Sequence, residues 1–287
     1  MSRNLQGVLW SMVSVALFST TAAMAKVAVT EYHVLQILFI RQIVVFLSAT
    51  PQVIRDFPNS LRTHRPGIHA IRIAGAFVAL TAGIWAVAVL PLATAVTLTF
   101  AQVFFLALLA AFFLGENVGR HRIAAIGVGF LGVLVAMRPG LDGFIDPYAL
   151  IPVVGALGAA TAGVCIRKLS QTEDTATLLI YQSFFVGLLA GIPLIWLWQT
   201  PDMDDLLFMI ALGVIATIAQ WIGVQALRLG EASIIGNVQY MKLIYASAFG
   251  FFFFAEIPDA MTLLGAAIII ASSLYIFHRE AVNRARE

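Results

Sequence analysis

Ten apolar runs divide this chain, and they limit its fold more than any other feature. The runs cover residues 5–29, 34–48, 73–90, 94–114, 123–137, 148–166, 178–198, 206–227, 232–256 and 261–277. A helix needs about 20 apolar residues to cross the hydrocarbon core of a bilayer, and most of the runs approach that length. Because a backbone inside lipid must satisfy its own hydrogen bonds, each run is predicted to be a helix.

Composition excludes an ordinary soluble protein. Of the 287 residues, 61% are hydrophobic and 11% are charged, whereas soluble domains carry about 25% charged residues. The first run resembles a signal peptide, because Ala23-Met24-Ala25 imitates a cleavage site. A matching segment recurs later in the chain, however, which favours a retained span. The sequence therefore predicts an all-α integral membrane protein with ten transmembrane helices, multi-pass in the cell inner membrane.

The positive charges predict the orientation of these helices. With the N terminus placed inside, 13 of the 17 Lys and Arg residues fall on the inner side, and only Arg138 falls on the outer side. The other three, Lys26, Arg41 and Lys242, lie within spans. Since positively charged loops stay in the cytoplasm, both termini are predicted to be cytoplasmic.

Several features recur at a nearly constant offset, which indicates a duplication. Lys26 and Lys168 are 142 positions apart, while Arg41-Gln42 and Tyr181-Gln182, and likewise Glu116 and Glu256, are 140 apart. The sequence thus predicts two five-helix repeats, residues 1–140 and 141–287. Because five is odd, the second repeat is inverted in the membrane. Inverted repeats are the usual framework for alternating access around a substrate site near the midplane.

The order of several short motifs carries a family resemblance. They are Pro91-Leu92-Ala93-Thr94-Ala95, Gly115-Glu116, Arg138-Pro139-Gly140, Gln239-Tyr240, Glu256-Ile257-Pro258-Asp259, Gly265 and the segment 272–280. The pattern, which extends over essentially the whole chain, resembles the drug/metabolite transporter superfamily, specifically its ten-helix EamA family. The resemblance implies a secondary carrier with two EamA repeats. The C-terminal half is most similar to members that carry metabolites, S-adenosylmethionine among them, but the family also moves amino acids, vitamins, sugars and drugs.

Lys242 is the first candidate for a substrate contact. It lies near the middle of the run 232–256, where an ammonium group costs at least about 2.5–3.5 kcal/mol on insertion scales. The lysine stem is too short to reach either surface from there, so Lys242 is expected to face a polar interior. Gln239 and Tyr245 share its helical face, three residues before and after it.

Further candidates lie at interior depth on other spans. Arg41 either faces the same cavity, reaches the surface, or pairs with an outer carboxylate such as Glu31. Lys26 is closer to a span end and is predicted to be an interfacial anchor. Four further side chains either contact the ligand or join neighbouring helices, and joining helices is the more common role. They are Gln102, Trp85, Tyr181 and Trp221. The candidate substrate site comprises Lys242, Gln239, Tyr245, Arg41, Gln102, Trp85, Tyr181 and Trp221.

The embedded charge is entirely positive, since every Asp and Glu maps to a span end, a loop or a terminus. A cavity with fixed cations attracts a carboxylate, a phosphate or a zwitterion. The sequence therefore predicts a secondary transporter of a small anionic or zwitterionic metabolite, amino-acid-like or nucleoside-derived, S-adenosylmethionine being one example. The alternative is an exporter of amphipathic or aromatic compounds with little charge selection. Proton coupling and substrate exchange both stay open, as do a monomer and a homodimer.

Enzymatic function is the remote alternative. The five histidines are predicted to lie in loops or tails with no nucleophile or paired carboxylate nearby. No metal, cofactor or nucleic-acid partner is expected; the partners are a small-molecule substrate and the lipid bilayer. The stretch Gly127-Val128-Gly129-Phe130-Leu131-Gly132 matches a dinucleotide motif but lies inside an apolar run, so it is predicted to pack helices together instead.

Overall fold

The computed structural model describes residues 3–55, 57, 63, 65–114, 120–137, 147–229 and 238–284. Every regular element within these ranges is a helix, which confirms the predicted all-α class. Glu116 and Arg138-Pro139-Gly140, on which part of the predicted repeat and of the family resemblance depends, lie outside the described residues.

Twelve α-helices are formed by the described residues. They are α1 Arg3–Ala28, α2 Val34–Arg55, α3 Pro66–Val89, α4 Leu92–Thr99, α5 Ala101–Leu114, α6 Arg120–Ala136, α7 Leu150–Leu169, α8 Thr175–Gly191, α9 Leu194–Leu197, α10 Met203–Leu229, α11 Met241–Phe254 and α12 Ala260–Arg284. A 3₁₀ turn at Pro147–Ala149 precedes α7.

Ten apolar segments within the described residues overlap the ten predicted runs. Six are long and apolar enough to cross a membrane: Leu5–Ala28, Val34–Arg55, Pro66–Val89, Leu92–Phe113, Pro147–Leu169 and Met203–Gly223. Four are shorter: Ile123–Ala136, Ala176–Gly191, Met241–Phe254 and Ala260–Ile276. The chain is therefore a multi-pass membrane protein.

Two of the predicted spans contain a tight turn. The run 94–114 divides at Phe100, whose N–H donates to Thr97 O at 3.1 Å, so that α4 ends there and α5 begins. In the run 232–256, Lys242 N–H donates to Gln239 O at 3.1 Å, and α11 begins at Met241. Such i to i+3 bonds are those of a 3₁₀ turn, a geometry that often marks a hinge within a helix.

The third span begins earlier than the sequence predicts. Helix α3 starts at Pro66 and therefore includes His69 and Arg72, which the sequence places in a polar connection. Proline suits the first position of a helix because its missing N–H has no partner to lose there. Both side chains are only 2% exposed. The prediction that all five histidines lie in loops or tails is thus wrong for His69, and it is also wrong for His121 and His278, which lie within α6 and α12.

Glycines bring some of the helices into close contact. A Cβ added to Gly75 of α3 would lie 2.7 Å from the carbonyl oxygen of Gly158 of α7. On α6, Gly132 lies against Gly265 of α12, and Gly129 lies against the ring of Phe104. Two glycines of the dinucleotide-like stretch therefore pack against neighbours, as predicted. Helices α1 with α10 and α2 with α8 form further closely packed pairs.

We name the two ends of the molecule by the predicted topology. The inner end is where α2 ends, α3 begins and α7 connects to α8. The outer end is where α1 connects to α2 and α3 connects to α4.

Candidate functional site

Lys242 lies in the first turn of α11 with its side chain directed at α1. Its Nζ is 5.4 Å from the centroid of the Phe18 ring, within cation–π range. The exposed residue of α11 nearest to it in sequence, Ile244 at 65%, lies about 200° around the helix from Lys242. Lys242 itself is half-buried. The side chain is therefore directed between helices, on the side opposite Ile244.

The charge of Lys242 has no compensating carboxylate within the described part of the chain. The ion pairs formed there join Lys26 to Glu256 and His69 to Glu173, and neither includes Lys242. An aromatic face attracts a cation but adds no negative charge. The ammonium group of Lys242 is thus held between helices with its positive charge uncompensated by any described side chain.

The neighbours predicted from the helical spacing are half-buried as well. Gln239 lies in the turn that precedes α11, and its carbonyl accepts the backbone N–H of Lys242. Tyr245 and Phe249 follow on the same helical face. Leu243, Ala246 and Gly250 next to this face are buried against the core. The face of Lys242 therefore combines amide, phenol and phenyl groups.

An aromatic pair joins the two turns within the spans. The rings of Phe100 and Tyr240 are 5.3 Å apart between centroids. Gln102 and Lys242 each lie two residues after one member of the pair, and both are half-buried. The sequence prediction overlooked this contact, although the 140-residue offset between Phe100 and Tyr240 equals the offset of the predicted repeat.

Arg41 lies on α2 with its backbone close to α10, where a Cβ on Gly213 would be 3.4 Å from the Arg41 Cα. Its Nε is buried and has no hydrogen-bond partner in the described structure. Glu31, the carboxylate considered as its partner, is exposed and forms no ion pair with it. Arg41 is therefore a second cation whose charge no described carboxylate compensates.

The remaining three candidates lie apart from α11. Trp85 is 48% exposed on α3, on the same apolar stripe as Ile71 and Val78, and Trp221 is 45% exposed on a similar stripe of α10. Tyr181 packs on His69 with ring centroids 4.7 Å apart, at the inner end. Neither described contact of Tyr181 with an aromatic ring involves α11.

At the outer end, one set of contacts forms what we call the outer cluster: Lys26, Leu90, Leu92 and Glu256. Lys26 Nζ donates to Leu90 O at 2.8 Å and pairs with Glu256, whose other carboxylate oxygen accepts the N–H of Leu92 at 2.8 Å. The Lys26 side chain is only 15% exposed. The prediction that Lys26 is an interfacial anchor is therefore wrong, because its amino group is bonded within the protein.

A second outer contact joins the connection after α1 to the start of α10. The Tyr32 hydroxyl donates to Asp205, and this hydrogen bond to a negative carboxylate raises the pKa of Tyr32 to about 12. The neutral form of a group with a raised acid pKa persists until the pH approaches that value. This contact is therefore insensitive to pH in the physiological range.

At the inner end, an inner cluster consists of Thr63, His69, Arg72, Glu173 and Gln182. Glu173 accepts a hydrogen bond from Thr63 through one oxygen and contacts His69 Nε2 through the other. Arg72 donates to Leu178 O at 3.0 Å and to Gln182 Oε1 at 2.9 Å. The side chains of His69 and Glu173 are each 3% exposed. The cluster joins α3 to the connection after α7 and to α8.

Spans of this number and apolarity define a multi-pass membrane protein, and a cation between spans is typical of a substrate or ion pathway. The chain belongs to the EamA-like transporter family, whose model matches residues 5–138 and 147–278. This confirms the predicted family and a transporter rather than an enzyme.

Several transporters of known name are similar over nearly the whole chain. The S-adenosylmethionine uptake transporter of Rickettsia felis is 28% identical over 99% of this chain and 97% of its own length. The riboflavin transporter of Vibrio cholerae is 28% identical over 99% of this chain and 96% of its own length. The pseudopaline exporter of Pseudomonas aeruginosa is 28% identical over 93% of this chain and 94% of its own length.

A solved crystal structure shares the fold. It superposes with a TM-score of 0.65 over 95% of this chain and 96% of that chain, at 16% sequence identity.

Proposed function

We propose that this chain is a secondary transporter of a small anionic or zwitterionic metabolite, which it moves across the inner membrane by alternating access. The observation that carries the proposal is the ammonium group of Lys242, directed between helices with no described carboxylate to compensate it. A charge in such a place is costly unless it has a partner, and in transporters the partner is commonly a substrate. The negative group of the substrate is that partner here.

The environment of Lys242 also suits the rest of a substrate. Phe18 lies on one side, and Tyr245 and Phe249 line the same face of α11. Aromatic side chains present flat apolar surfaces on which a planar ring system can pack. A compound with an amino-acid carboxylate and a nucleoside ring therefore matches both features. S-adenosylmethionine, the substrate named for the Rickettsia felis relative, has both, although its sulfonium also gives it a net positive charge.

Alternating access in this chain rests on the predicted duplication. The family model matches two separate stretches, 5–138 and 147–278. If α1 corresponds to α7 and α3 to α10, then the packed pairs α3 with α7 and α1 with α10 are equivalent to each other. Both features support two inverted repeats, residues 1–140 and 141–287, that rock about a site near Lys242.

The aromatic side chains near Lys242, which are Phe18, Tyr245 and Phe249, also favour a second candidate function. This is the transport of aromatic compounds with little charge selection. The Vibrio cholerae relative is a riboflavin transporter, and riboflavin is an uncharged isoalloxazine. Under this alternative Lys242 is dispensable, whereas Phe18 is not. The first function therefore requires Lys242, whereas the second requires Phe18, the ring that Lys242 contacts.

A thermal-shift experiment on the purified protein tests the proposal. S-adenosylmethionine, the standard amino acids, nucleoside phosphates and riboflavin are added separately to the wild type and to the Lys242→Ala variant. We expect the strongest stabilisers to carry a carboxylate or phosphate and to lose about 30-fold or more in affinity for Lys242→Ala, because removing one partner of a buried charge pair costs 2 kcal/mol or more.

Lys168→Ala is the matched control, since Lys168 occupies the last turn of α7 at the inner end. It should respond to ligands as the wild type does. If uncharged compounds stabilise best, or if Lys242→Ala keeps the full response, the substrate is not held by its negative group.

A further inference from the structure

Two apolar grooves lie side by side on the surface of the protein, one on each flank of α8. The first groove is lined by α2 and α8, from Phe46 to Ile54 on α2, and has a volume of about 450 Å³. The second groove is lined by α3 and α8, from Pro66 to Ala74 on α3, and has a volume of about 360 Å³. Both volumes lie within the range of about 300–1,000 Å³ that is usual for ligand pockets. Lys242 lines neither groove, so both are separate from the proposed substrate site.

Aromatic rings of α8 form a ridge between the two grooves. Tyr181 and Phe185 line both grooves, and their ring centroids are 6.0 Å apart. Phe184, which is 52% exposed, packs on Phe185 at 5.1 Å and on Phe46 at 6.2 Å between centroids. The two grooves are therefore separated by the width of one helix, and a molecule with two apolar chains can place one chain on each side of the ridge.

The hydroxyl groups of both threonines in the grooves are bonded within the protein. Thr50, in the first groove, donates to Phe46 O at 2.8 Å. Thr63, in the second groove, donates to Glu173 at 2.6 Å. The remaining lining is mainly aliphatic and aromatic carbon. The grooves therefore suit hydrocarbon chains, which in a membrane are held by van der Waals packing.

The grooves have the length of an acyl chain in one leaflet of the bilayer. The stretches Phe46–Ile54, Pro66–Ala74 and Tyr181–Leu189 each advance eight residues along a helix, which is about 12 Å. One leaflet contributes about 15 Å of hydrocarbon. Ile54 is the last residue but one of α2 and Pro66 is the first of α3, so both grooves begin at the inner end. Their position therefore matches a lipid of the inner leaflet.

Positive charge lies at the same end of both grooves. Arg55 directly follows Ile54 and is exposed, and Arg65 directly precedes Pro66. Neither arginine belongs to an ion pair formed between described residues. Guanidinium groups bind phosphate well, and basic sites on the cytoplasmic side of a membrane protein attract anionic headgroups. A lipid with its chains in the grooves would thus have its headgroup near these two arginines.

We propose that the two grooves bind one phospholipid of the inner leaflet with two acyl chains and an anionic headgroup. One chain lies on each side of the ridge of Tyr181 and Phe185, and the phosphate lies near Arg55 and Arg65. Such a lipid contacts α2, α3 and α8 at once, so its binding should stabilise the folded protein. The site does not depend on the proposed substrate or on Lys242.

Native mass spectrometry of the detergent-purified protein tests the proposal, because it counts bound lipids and separates monomers from dimers. The probes are dioleoyl phosphatidylglycerol, phosphatidylcholine with the same chains, the single-chain lyso form of phosphatidylglycerol, and glycerol 3-phosphate. We expect one phosphatidylglycerol to bind about tenfold or more tightly than phosphatidylcholine, since each arginine near the surface favours an anionic lipid by about fivefold. The lyso form should bind more weakly, and glycerol 3-phosphate should not bind.

Replacing the two arginines tests the contact with the headgroup. The double variant Arg55→Gln/Arg65→Gln should bind phosphatidylglycerol and phosphatidylcholine alike. It should keep the wild-type melting temperature without lipid, because neither arginine belongs to a described ion pair. Lys168→Gln is the matched control, since Lys168 is a cation of the inner end that lines neither groove. It should keep the wild-type preference.

Filling one groove tests the contact with the chains. Ala74 is exposed in the second groove, so Ala74→Phe fills the groove without entering the core. This variant should bind phosphatidylglycerol no better than its lyso form, because one of the two chains has lost its packing surface. Ala88→Phe is the matched control, at an exposed alanine of the same helix outside both grooves. It should bind both lipids as the wild type does.

Three results would overturn the proposal. The first is equal binding of phosphatidylglycerol and phosphatidylcholine by the wild type, and the second is an undiminished preference in the double arginine variant. The third is Ala74→Phe binding lipid as Ala88→Phe does. Protein dimers in place of lipid adducts would likewise contradict it, because a second copy of the chain would then cover the grooves.

Discussion

Two lysines of this chain differ in whether their charge is compensated. Lys26 is bonded to Glu256 and to the Leu90 carbonyl, whereas Lys242 lies over the Phe18 ring with no described carboxylate nearby. Binding sites often hold a group that destabilises the empty protein. The difference therefore distinguishes a side chain that stabilises the fold, Lys26, from one that we propose binds the substrate, Lys242.

Replacing these two lysines should have opposite effects on the ligand-free protein. Lys26→Ala leaves the partly buried Glu256 without its partner and should lower the free energy of unfolding by about 2 kcal/mol. Lys242→Ala removes an uncompensated charge and should raise the melting temperature slightly. Thermal unfolding of both variants in the same detergent provides the comparison. A Lys242→Ala variant as unstable as Lys26→Ala would mean that Lys242 has a structural partner.

Among the helices, close packing of α3 on α7 fixes the position of the inner cluster. Gly75 and Gly158 face each other there, each with its added Cβ 2.7 Å from the other's carbonyl oxygen. His69 and Arg72 lie in the first two turns of the same helix, α3. The contact between backbones therefore holds α3 in register with the residues that bind it at the inner end.

A methyl group at this contact should separate the two helices. Gly75→Ala places its Cβ against backbone, which cannot move aside as a side chain can, and should cost about 1–3 kcal/mol. Gly83→Ala on the same helix is the control, because nothing lies within 4 Å of its added Cβ, and alanine favours a helix over glycine by about 1 kcal/mol. We expect the melting temperature to fall for the first variant and to stay or rise for the second. Equal melting temperatures would contradict the close approach.

The sequence predicted the ten spans well because lipid imposes a length and an apolarity that are local properties of the chain. It could not predict the clusters, since their members are distant in sequence: Arg72 and Gln182 are 110 positions apart, and Lys26 and Glu256 are 230 apart. His69 was placed in a loop because a polar residue near a charged connection has no local sign of burial. Lys242 is a candidate from the sequence alone because a charge within an apolar run is visible without knowledge of its neighbours.

At the scale of the whole molecule, polar contacts join the two proposed repeats at both ends. Lys26 with Glu256 and Thr94 with Thr262 lie at the outer end, and the inner cluster lies at the other. Alternating access requires that each set opens in turn. A permanent bond at either end should therefore stop transport without unfolding the protein.

A disulfide at the outer end makes this testable. The Oγ1 atoms of Thr94 and Thr262 are 3.1 Å apart, so cysteines at these positions in a Cys165→Ser background should be close enough to oxidise. We expect oxidation to abolish exchange of a stabilising ligand in proteoliposomes and reduction to restore it. Each single cysteine variant is the control. Full exchange in the oxidised double variant would show that this end need not open.

If Lys242 binds the negative group of the substrate, the protein should distinguish an acid from its neutral ester. The strongest carboxylate stabiliser and its methyl ester are titrated into the wild type and into Lys242→Ala. We expect the wild type to bind the acid about 30-fold or more tightly than the ester, and the variant to bind both alike. Equal binding of acid and ester by the wild type, or a preference for the acid that survives in Lys242→Ala, would contradict it.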